Sequence, residues 1–365
     1  MSIKKPLYSI RDIHFNPEDL ESRVSEIIKL FVAYNNKFNN AIFNTQFFSM
    51  QMLKYEARNS NEIEGIYTSH IEILTRDTPT SKKITNYVTA LKNANKEINK
   101  NSFFTENLIL QIHKDLFENI FTVDAIAANP GSWRTKQVQI ANHFPPKPQD
   151  VPKYIKEFLE WLNDPEPFKQ YGAVLEALVK GSIAHAYFEK IHPFSDGNGR
   201  TGRILFNLVL NKYQLTNRPY FYISKAILHD QFTYYMQLAK LDNSTNYQKW
   251  IEFFLDTLIY QLKSNIKVFD EAAKMVTIIR KDITKEDNEV YREIKKRIFD
   301  YISKYPIFTY VQVYNIVKPF FRNIEDNVFV NVFNQIVENF HIRKIPNTDY
   351  FEFKTIIDII VGSDY

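Results

Sequence analysis

The stretch His192-Pro193-Phe194-Ser195-Asp196-Gly197-Asn198-Gly199-Arg200-Thr201-Gly202-Arg203 crowds a histidine, a carboxylate, an asparagine, three glycines and two arginines into twelve positions. It lies between two runs of helical periodicity. One covers 171–190, with Val174, Leu178, Ile183 and Phe188 as apolar positions, and the other resumes at Thr201. Gly197, Asn198 and Gly199 therefore sit just before a helix, where backbone N–H groups are unpaired and the helix dipole favours an anion. Arg200 and Arg203, spaced i and i+3, share one side of that helix and add bidentate donors for phosphate oxygens. Asp196 suits Mg²⁺, which takes one or two carboxylates together with substrate phosphates. His192 adds a group that can accept a proton from an attacking hydroxyl at neutral pH. Such help is worth about 10² to 10⁴ in rate. Together these parts suit a nucleoside triphosphate.

The substring Gly197 to Gly202 also satisfies G-x-G-x-x-G. A dinucleotide fold needs a strand before those glycines and an acidic residue roughly 20 positions later, and here a helix precedes them. The VAIK, HRD and DFG elements of a protein kinase and the G-x-x-x-x-G-K-[ST] phosphate loop are all absent. An incidental glycine-rich connector does not account for the crowding of reactive groups.

Outward from this segment the chain reads as mostly helical. Among 365 residues, 44% are hydrophobic and 15% aromatic, and only 8 are glycine, which favours long helices with bulky faces. Leu20, Val24, Ile27, Ile28 and Phe31 recur at helical spacing after an Asn16 cap followed by Pro17. Residues 131–152 differ: Val138 and Ile140 alternate with polar neighbours and prolines close the segment, which predicts a short hairpin. Helices are expected over 151–163, 225–241 and 247–279, with a charged linker over 281–289. At the C-terminus, two helical segments, a longer one over 326–340 and the strands HIRKIP and YFEFK resemble the order of a winged helix. The charge of +4, from 46 Lys+Arg and 42 Asp+Glu, gives no strong pull toward nucleic acid or membrane. With no cysteine, no apolar run of signal-peptide length and nowhere about 18 consecutive apolar residues, the expectation is a cytoplasmic protein.

HPFSDGNGRTGR matches the Fic signature HPFx[DE]GNGRxxR at every defined position, and the chain resembles that family from about Ser60 to Leu255. The resemblance implies a Fic/Fido helical core with a small β-hairpin flap, an N-terminal helical layer and a C-terminal winged-helix-like domain. It implies a protein adenylyltransferase, moving AMP from ATP to Tyr, Thr or Ser hydroxyls of target proteins and of itself. His192 would be the base, Asp196 the Mg²⁺ ligand and Phe194 a core anchor. Gly197, Asn198, Gly199, Arg200, Gly202 and Arg203 would hold the nucleotide. Gly131 and Trp133 would shape the flap turn, with Val138 and Ile140 clamping the target. Tyr235 resembles the position that contacts adenosine; Asp242 stands where relatives often have Asn.

Ser60-Asn61-Glu62-Ile63-Glu64-Gly65 is similar to the family's [ST]xxxE[GN] inhibitory motif, which implies Ser60 and Glu64 as a built-in brake with Glu64 paired to Arg203. One charge-assisted interaction is worth about 1.5 to 3 kcal/mol, whereas swinging a two-state equilibrium from 1:99 to 99:1 takes about 5.5. Packing by Ile63 and Ile66 is expected to support it. The expected organisation is an N-terminal helical region over 1–100, a core over 101–255 with flap 131–146 and loop 192–203, a connecting helix or linker over 256–290 and a winged-helix-like unit over 291–365. Other uses of the chain are removal of AMP at the same site and DNA binding by a non-enzymatic regulator. The segment 324–340 carries Glu325, Asp326 and Glu338 but no Lys or Arg, so a target-docking or homodimer-forming role is preferred over nucleic acid. His113, His143, His185 and His229 have no metal-ligand spacing and are expected to pack or face solvent.

Overall fold

The computed structural model describes residues 7–41, 45–69, 72–73, 78–122, 128–165, 168, 172–215 and 223–361. In chain order the helices of the first part are α1 (Glu21–Asn39), α2 (Thr45–Ile63), α3 (Pro79–Asn101), α4 (Glu106–Leu116), α5 (Val151–Asn163), α6 (Ala173–Ile191), α7 (Asn198–Lys212), α8 (Ser224–His229), α9 (Gln231–Lys240) and α10 (Gln248–Thr284). Then follow α11 (Glu289–Ile302), β1 (Ile307–Thr309), α12 (Tyr310–Val317), α13 (Asp326–Asn339), β2 (Ile342–Lys344), β3 (Tyr350–Phe353) and α14 (Lys354–Val361). The chain divides into two compact units, one of residues 1–35 and 53–263, the other of 36–52 and 264–365.

The first unit is built around α6 and α7, which pack against each other. Leu178, Val179, Ile183, Ala184 and Phe188 of α6 are fully buried, as are Leu205, Phe206, Leu208 and Val209 of α7. A helix buried on all sides belongs at the centre of a core. Gly181 lets the two backbones approach, because a Cβ there would strike the Phe206 ring. Some of the polar groups inside are matched: Trp250 Nε1 donates to Ser182 O at 2.8 Å, and buried Lys180 pairs with Glu176 at 3.0 Å. Around this pair, α3 begins at a Thr78 capping box with Pro79 next to it, and α4 begins at a Thr105 cap.

Several boundaries differ from the sequence expectation for physical reasons. Asn16 Oδ1 accepts from Glu18 N at 3.3 Å, but a 3-10 turn, Glu18–Leu20, intervenes before α1. Leu20, Ile27 and Phe31 are buried there while Ile28 is 41% exposed. The helix expected to resume at Thr201 starts at Asn198, so Gly199, Gly202 and both arginines lie inside its first turns. The expected helix over 225–241 is two, because the Asp230 side chain accepts from Thr233 N and starts α9 afresh. The charged stretch expected to link from 281 is helical through Thr284. The hairpin over 131–152 reduces to one bridge, Ile140 to His143, joined by N–H···O bonds of 3.0 and 2.8 Å in an otherwise irregular loop.

The second unit carries an antiparallel sheet in the order β1-β3-β2, with Phe308 opposite Phe351 and Ile342 opposite Phe353. Phe308, Phe329, Val332, Phe333 and Ile336 form its interior. The strand pair read from HIRKIP and YFEFK is present; β1, three residues long, carries too short an alternation to be read from sequence. Among the described residues no helix is long and apolar enough to cross a membrane.

Candidate active site

The site forms where α6 ends and α7 begins. His192 closes α6 in the left-handed region (φ 46°, ψ 61°), its N–H bonded to Phe188 O at 3.0 Å. Phe194, fully buried, anchors the loop and stacks on the His113 ring at 3.7 Å. The Asn198 side chain clasps the Phe194 backbone from both sides, accepting from its N–H and donating to its C=O at 2.9 Å each. This amide therefore braces the loop. Gly197, at φ +82°, turns the chain into α7, and a Cβ there would strike the Phe117 ring.

No side chain caps the start of α7. The N–H groups of its first turn thus form an anion site of the kind the dipole favours. A carboxylate fills it: Glu64, just past the end of α2, lies directly over Gly199, where a Cβ would collide with its Oε1. The same oxygen accepts from Arg203 Nη2 at 2.7 Å. Arg203 is buried and further held by Ser60, through Nε to Oγ and Nη2 to the carbonyl, both at 2.8 Å. Burial opposes its charge, and Glu64 with the Tyr234 and Tyr87 hydroxyls outweighs that, holding the guanidinium above its ordinary value. Ile63 is buried and Ile66 half-buried beside this contact.

Arg200 is buried too, with one donor on Asp196 Oδ2 at 3.2 Å and its face against Phe117. Its Nε and Nη1 are shielded from solvent and have no protein acceptor. A buried guanidinium with unmatched donors is costly unless an anion completes it. The Asp196 side chain, 49% exposed, keeps Oδ1 on Gly197 N at 2.6 Å. Among the described residues no group of three or more His, Cys, Asp or Glu is placed to hold a metal. A single half-exposed carboxylate fits Mg²⁺ arriving with phosphate oxygens as its other ligands.

The His192 ring is about one-fifth exposed, with Nδ1 4.0 Å from Glu189 Oε2. Burial pushes the ring down to about 3, against the Glu189 backbone carbonyl, so it is neutral at physiological pH and able to take a proton. Glu189 itself is pushed up to about 8 by burial and by Glu64, against Arg203 and Lys190.

Tyr235, 46% exposed, donates its hydroxyl to Ile63 O at 3.2 Å, and Gln231 Nε2 donates to the same carbonyl at 2.9 Å. In this state Tyr235 therefore touches the segment that carries Glu64. In the flap, Val138 is half-buried and Ile140 is 37% exposed. Asp242 is paired with His143 at 2.7 Å and Lys190 at 2.5 Å.

Three further residues shape the site although the sequence reading gave them no part in it. Arg134, buried, donates through its backbone N–H to Pro193 O at 2.9 Å, through Nε to His192 O at 2.7 Å and through Nη2 to Pro146 O at 2.5 Å. It ties both arms of the flap to the loop that follows α6. His113, expected to pack, is fully buried as expected. It also accepts from Gly131 N at Nδ1 and faces Asp196 O with Nε2, both at 3.0 Å. Burial pushes it down to about 4, consistent with a neutral ring whose Nε2–H donates. Glu189 is the third. Its only sequence signal was a carboxylate three residues before His192, a spacing that any solvated helix face also shows.

Residues 103–210 match the model of the Fic/DOC family. The protein adenylyltransferase Fic of Aedes aegypti is 31% identical over 159 residues, 44% of this chain and 28% of that protein. That of Nematostella vectensis is 34% identical over 122 residues, 33% of this chain and 26% of that protein. The chain thus spans under a third of these curated relatives' length. A Fic family protein from Desulfovibrio desulfuricans has the same fold, with a TM-score of 0.55 and 18% identity over 95% of this chain and 98% of that one. Fic-1 (residues 134–508) from C. elegans aligns at a TM-score of 0.52 and 19% identity over 71% of this chain and 74% of that one.

Proposed function

We propose that the chain, whose residues 103–210 form a Fic domain, transfers AMP from ATP to a hydroxyl of a protein target and is held back by Glu64. The observation that carries this reading is the anion site at the start of α7, where Arg203 binds a carboxylate at 2.7 Å and buried Arg200 keeps two unmatched donors beside it. The relatives named protein adenylyltransferase supply the reaction type.

In that reaction the target oxygen bonds to the α-phosphorus of ATP, the bond from that phosphorus to the α,β-bridging oxygen breaks, and pyrophosphate leaves. His192 takes the hydroxyl proton. Arg200, Arg203 and the first N–H groups of α7 hold the phosphates and meet the charge that develops on them. Asp196 would hold Mg²⁺, which when bound neutralises phosphate charge. Val138 and Ile140 present the flap edge to the target, and the Tyr235 ring lies near the adenosine once Glu64 withdraws.

Glu64 and a nucleotide phosphate compete for one place, which gives the brake its mechanism. Helix order in the second unit, with β2 and β3 following α13 and β3 pairing back to β1, supports a winged-helix reading. α13 carries Asp326 and Glu338 and no Lys or Arg, which favours docking a protein over DNA.

Purified chain incubated with ATP labelled on the α-phosphate, and separately on the γ-phosphate, is the test. Incorporation from the α label alone, abolished by His192→Ala, is expected. Transfer of the γ label, or unaltered labelling in the variant, would refute it. Glu64→Gly is expected to raise labelling by about tenfold or more, the worth of one charge-assisted contact.

A further inference from the structure

His143 stands at the end of the one hydrogen-bonded bridge in the flap, paired with Ile140. Its ring reaches α6 and the 3-10 turn Leu241–Asn243. Nε2 lies 3.0 Å from Lys190 O, and Nδ1 lies 2.7 Å from Asp242 Oδ1. Both ring nitrogens therefore face oxygens that can only accept. A neutral imidazole has one N–H and one lone pair, so it satisfies one of these contacts and sets lone pair against lone pair at the other. Two protons on the ring satisfy both. Asp242 simultaneously accepts from Lys190 Nζ at 2.5 Å, so one carboxylate lies between two donors from different elements.

We propose that His143, Asp242 and Lys190 form a latch that positions the flap against the end of the catalytic helix, closed when the His143 ring carries both protons. The latch is a positioning device: it fixes Ile140, three residues earlier in the flap, relative to His192, two residues beyond Lys190. Its role in target binding rests on the adenylyl-transfer reading; its chemistry does not. Burial works against the Asp242 carboxylate, and hydrogen bonds from His143 and Lys190 outweigh it, holding the group below the usual carboxylate range. Other charges bear on the ring. His192 feels His143 directly, Arg134 binds His192 O and Pro146 O, and the Tyr247 hydroxyl is raised by burial with a contribution from Asp242. As pH rises and the ring gives up its second proton, one of its two contacts is lost and the flap loosens.

Two measurements on the full chain test this. Ring nitrogen NMR of His143 is expected to show both nitrogens protonated wherever the flap amides are protected; full protection with one bare nitrogen would overturn the proposal. Amide exchange of Ile140 and His143, corrected for intrinsic rate, is expected to lose protection as pH rises. His143→Gln should lower it about tenfold at low pH and remove the pH dependence, while Asp242→Asn should move the loss to lower pH. Unaltered α6 amide protection in each variant shows that the fold survives. Flap protection that ignores pH, or survives His143→Gln, would sink the latch. Neither readout needs catalysis, so failure of α-label transfer would count against the enzymatic reading and leave the latch to stand or fall separately.

Discussion

In the proposed reaction Gly199 is where nucleotide and brake would meet, because a single hydrogen there leaves room for an oxyanion at the start of α7. A Cβ would collide with Glu64 Oε1. Gly199→Ala should therefore expel the carboxylate and obstruct a phosphate equally. Labelling is expected to be low in Gly199→Ala and to stay low when Glu64→Gly is added, whereas Glu64→Gly alone raises it. A double variant as active as Glu64→Gly would show that phosphate binds elsewhere. The site residues were legible because the twelve positions from His192 to Arg203 carry them contiguously, whereas the pairing of Glu64 with Arg203, 139 residues apart, was expected only from the resemblance to the inhibitory motif. What stayed hidden depends on partners distant in sequence. Arg134 bonds to a carbonyl 58 residues away and His143 to one 47 away. Asn198 was legible as a site residue, but its side chain turns inward to Phe194, a choice made by the loop's own backbone donors.

At the scale of elements, the end of α2 is held by α9 as well as by Arg203. Gln231 and Tyr235, i and i+4 on α9, converge on Ile63 O, the last residue of α2. A helix C-terminus leaves carbonyls without partners, so these donors stabilise the end that presents Glu64. The ion pair alone falls short of a full two-state swing, and these bonds with buried Ile63 narrow the gap. Tyr235→Phe keeps the ring and removes one donor, with an expected loss of about 0.5 to 1.5 kcal/mol, or about two- to tenfold higher labelling at ATP well below saturation. Reduced labelling at saturating ATP would give the hydroxyl a role in nucleotide binding or chemistry instead. Element boundaries were readable where apolar periodicity begins at a proline, as in α5, which carries Pro152 in its first turn and is found at 151–163 as expected. They failed where local side-chain bonds intervene, as Asp230 does between α8 and α9, and where pairing is as brief as Ile140 with His143.

For the molecule as a whole, the groups that build the site also set how stability depends on pH. His113, His185 and His192 are pushed down to about 4, 3 and 3 by burial. Each is neutral in the fold and protonated in the unfolded chain below its reference value near 6.5. The unfolded state then binds more protons, so stability is lost as pH falls from about 6.5 toward 4. Two buried carboxyls act oppositely. Glu189 is pushed up to about 8 by burial and by Glu64, and Glu56 is raised by burial against its bonds from Ser224. They favour the fold at low pH, and the Glu189 contribution is lost as pH rises through about 8. Near pH 5 three imidazoles outweigh two carboxyls, leaving one to two protons taken up on unfolding and a slope of about 1.4 to 3 kcal/mol per pH unit. Between about 6.5 and 8 the imidazoles no longer contribute, the raised carboxyls dominate and the slope reverses. Urea midpoints of the first unit's transition are therefore expected to peak between pH 6 and 7. His185→Gln should flatten the acid limb without moving the alkaline one, because that ring sits in the core, bonded to the Tyr234 hydroxyl at 2.9 Å and outside the proposed chemistry. An acid limb unchanged in His185→Gln would mean that other groups, and not the buried imidazoles, make the fold sensitive to acid.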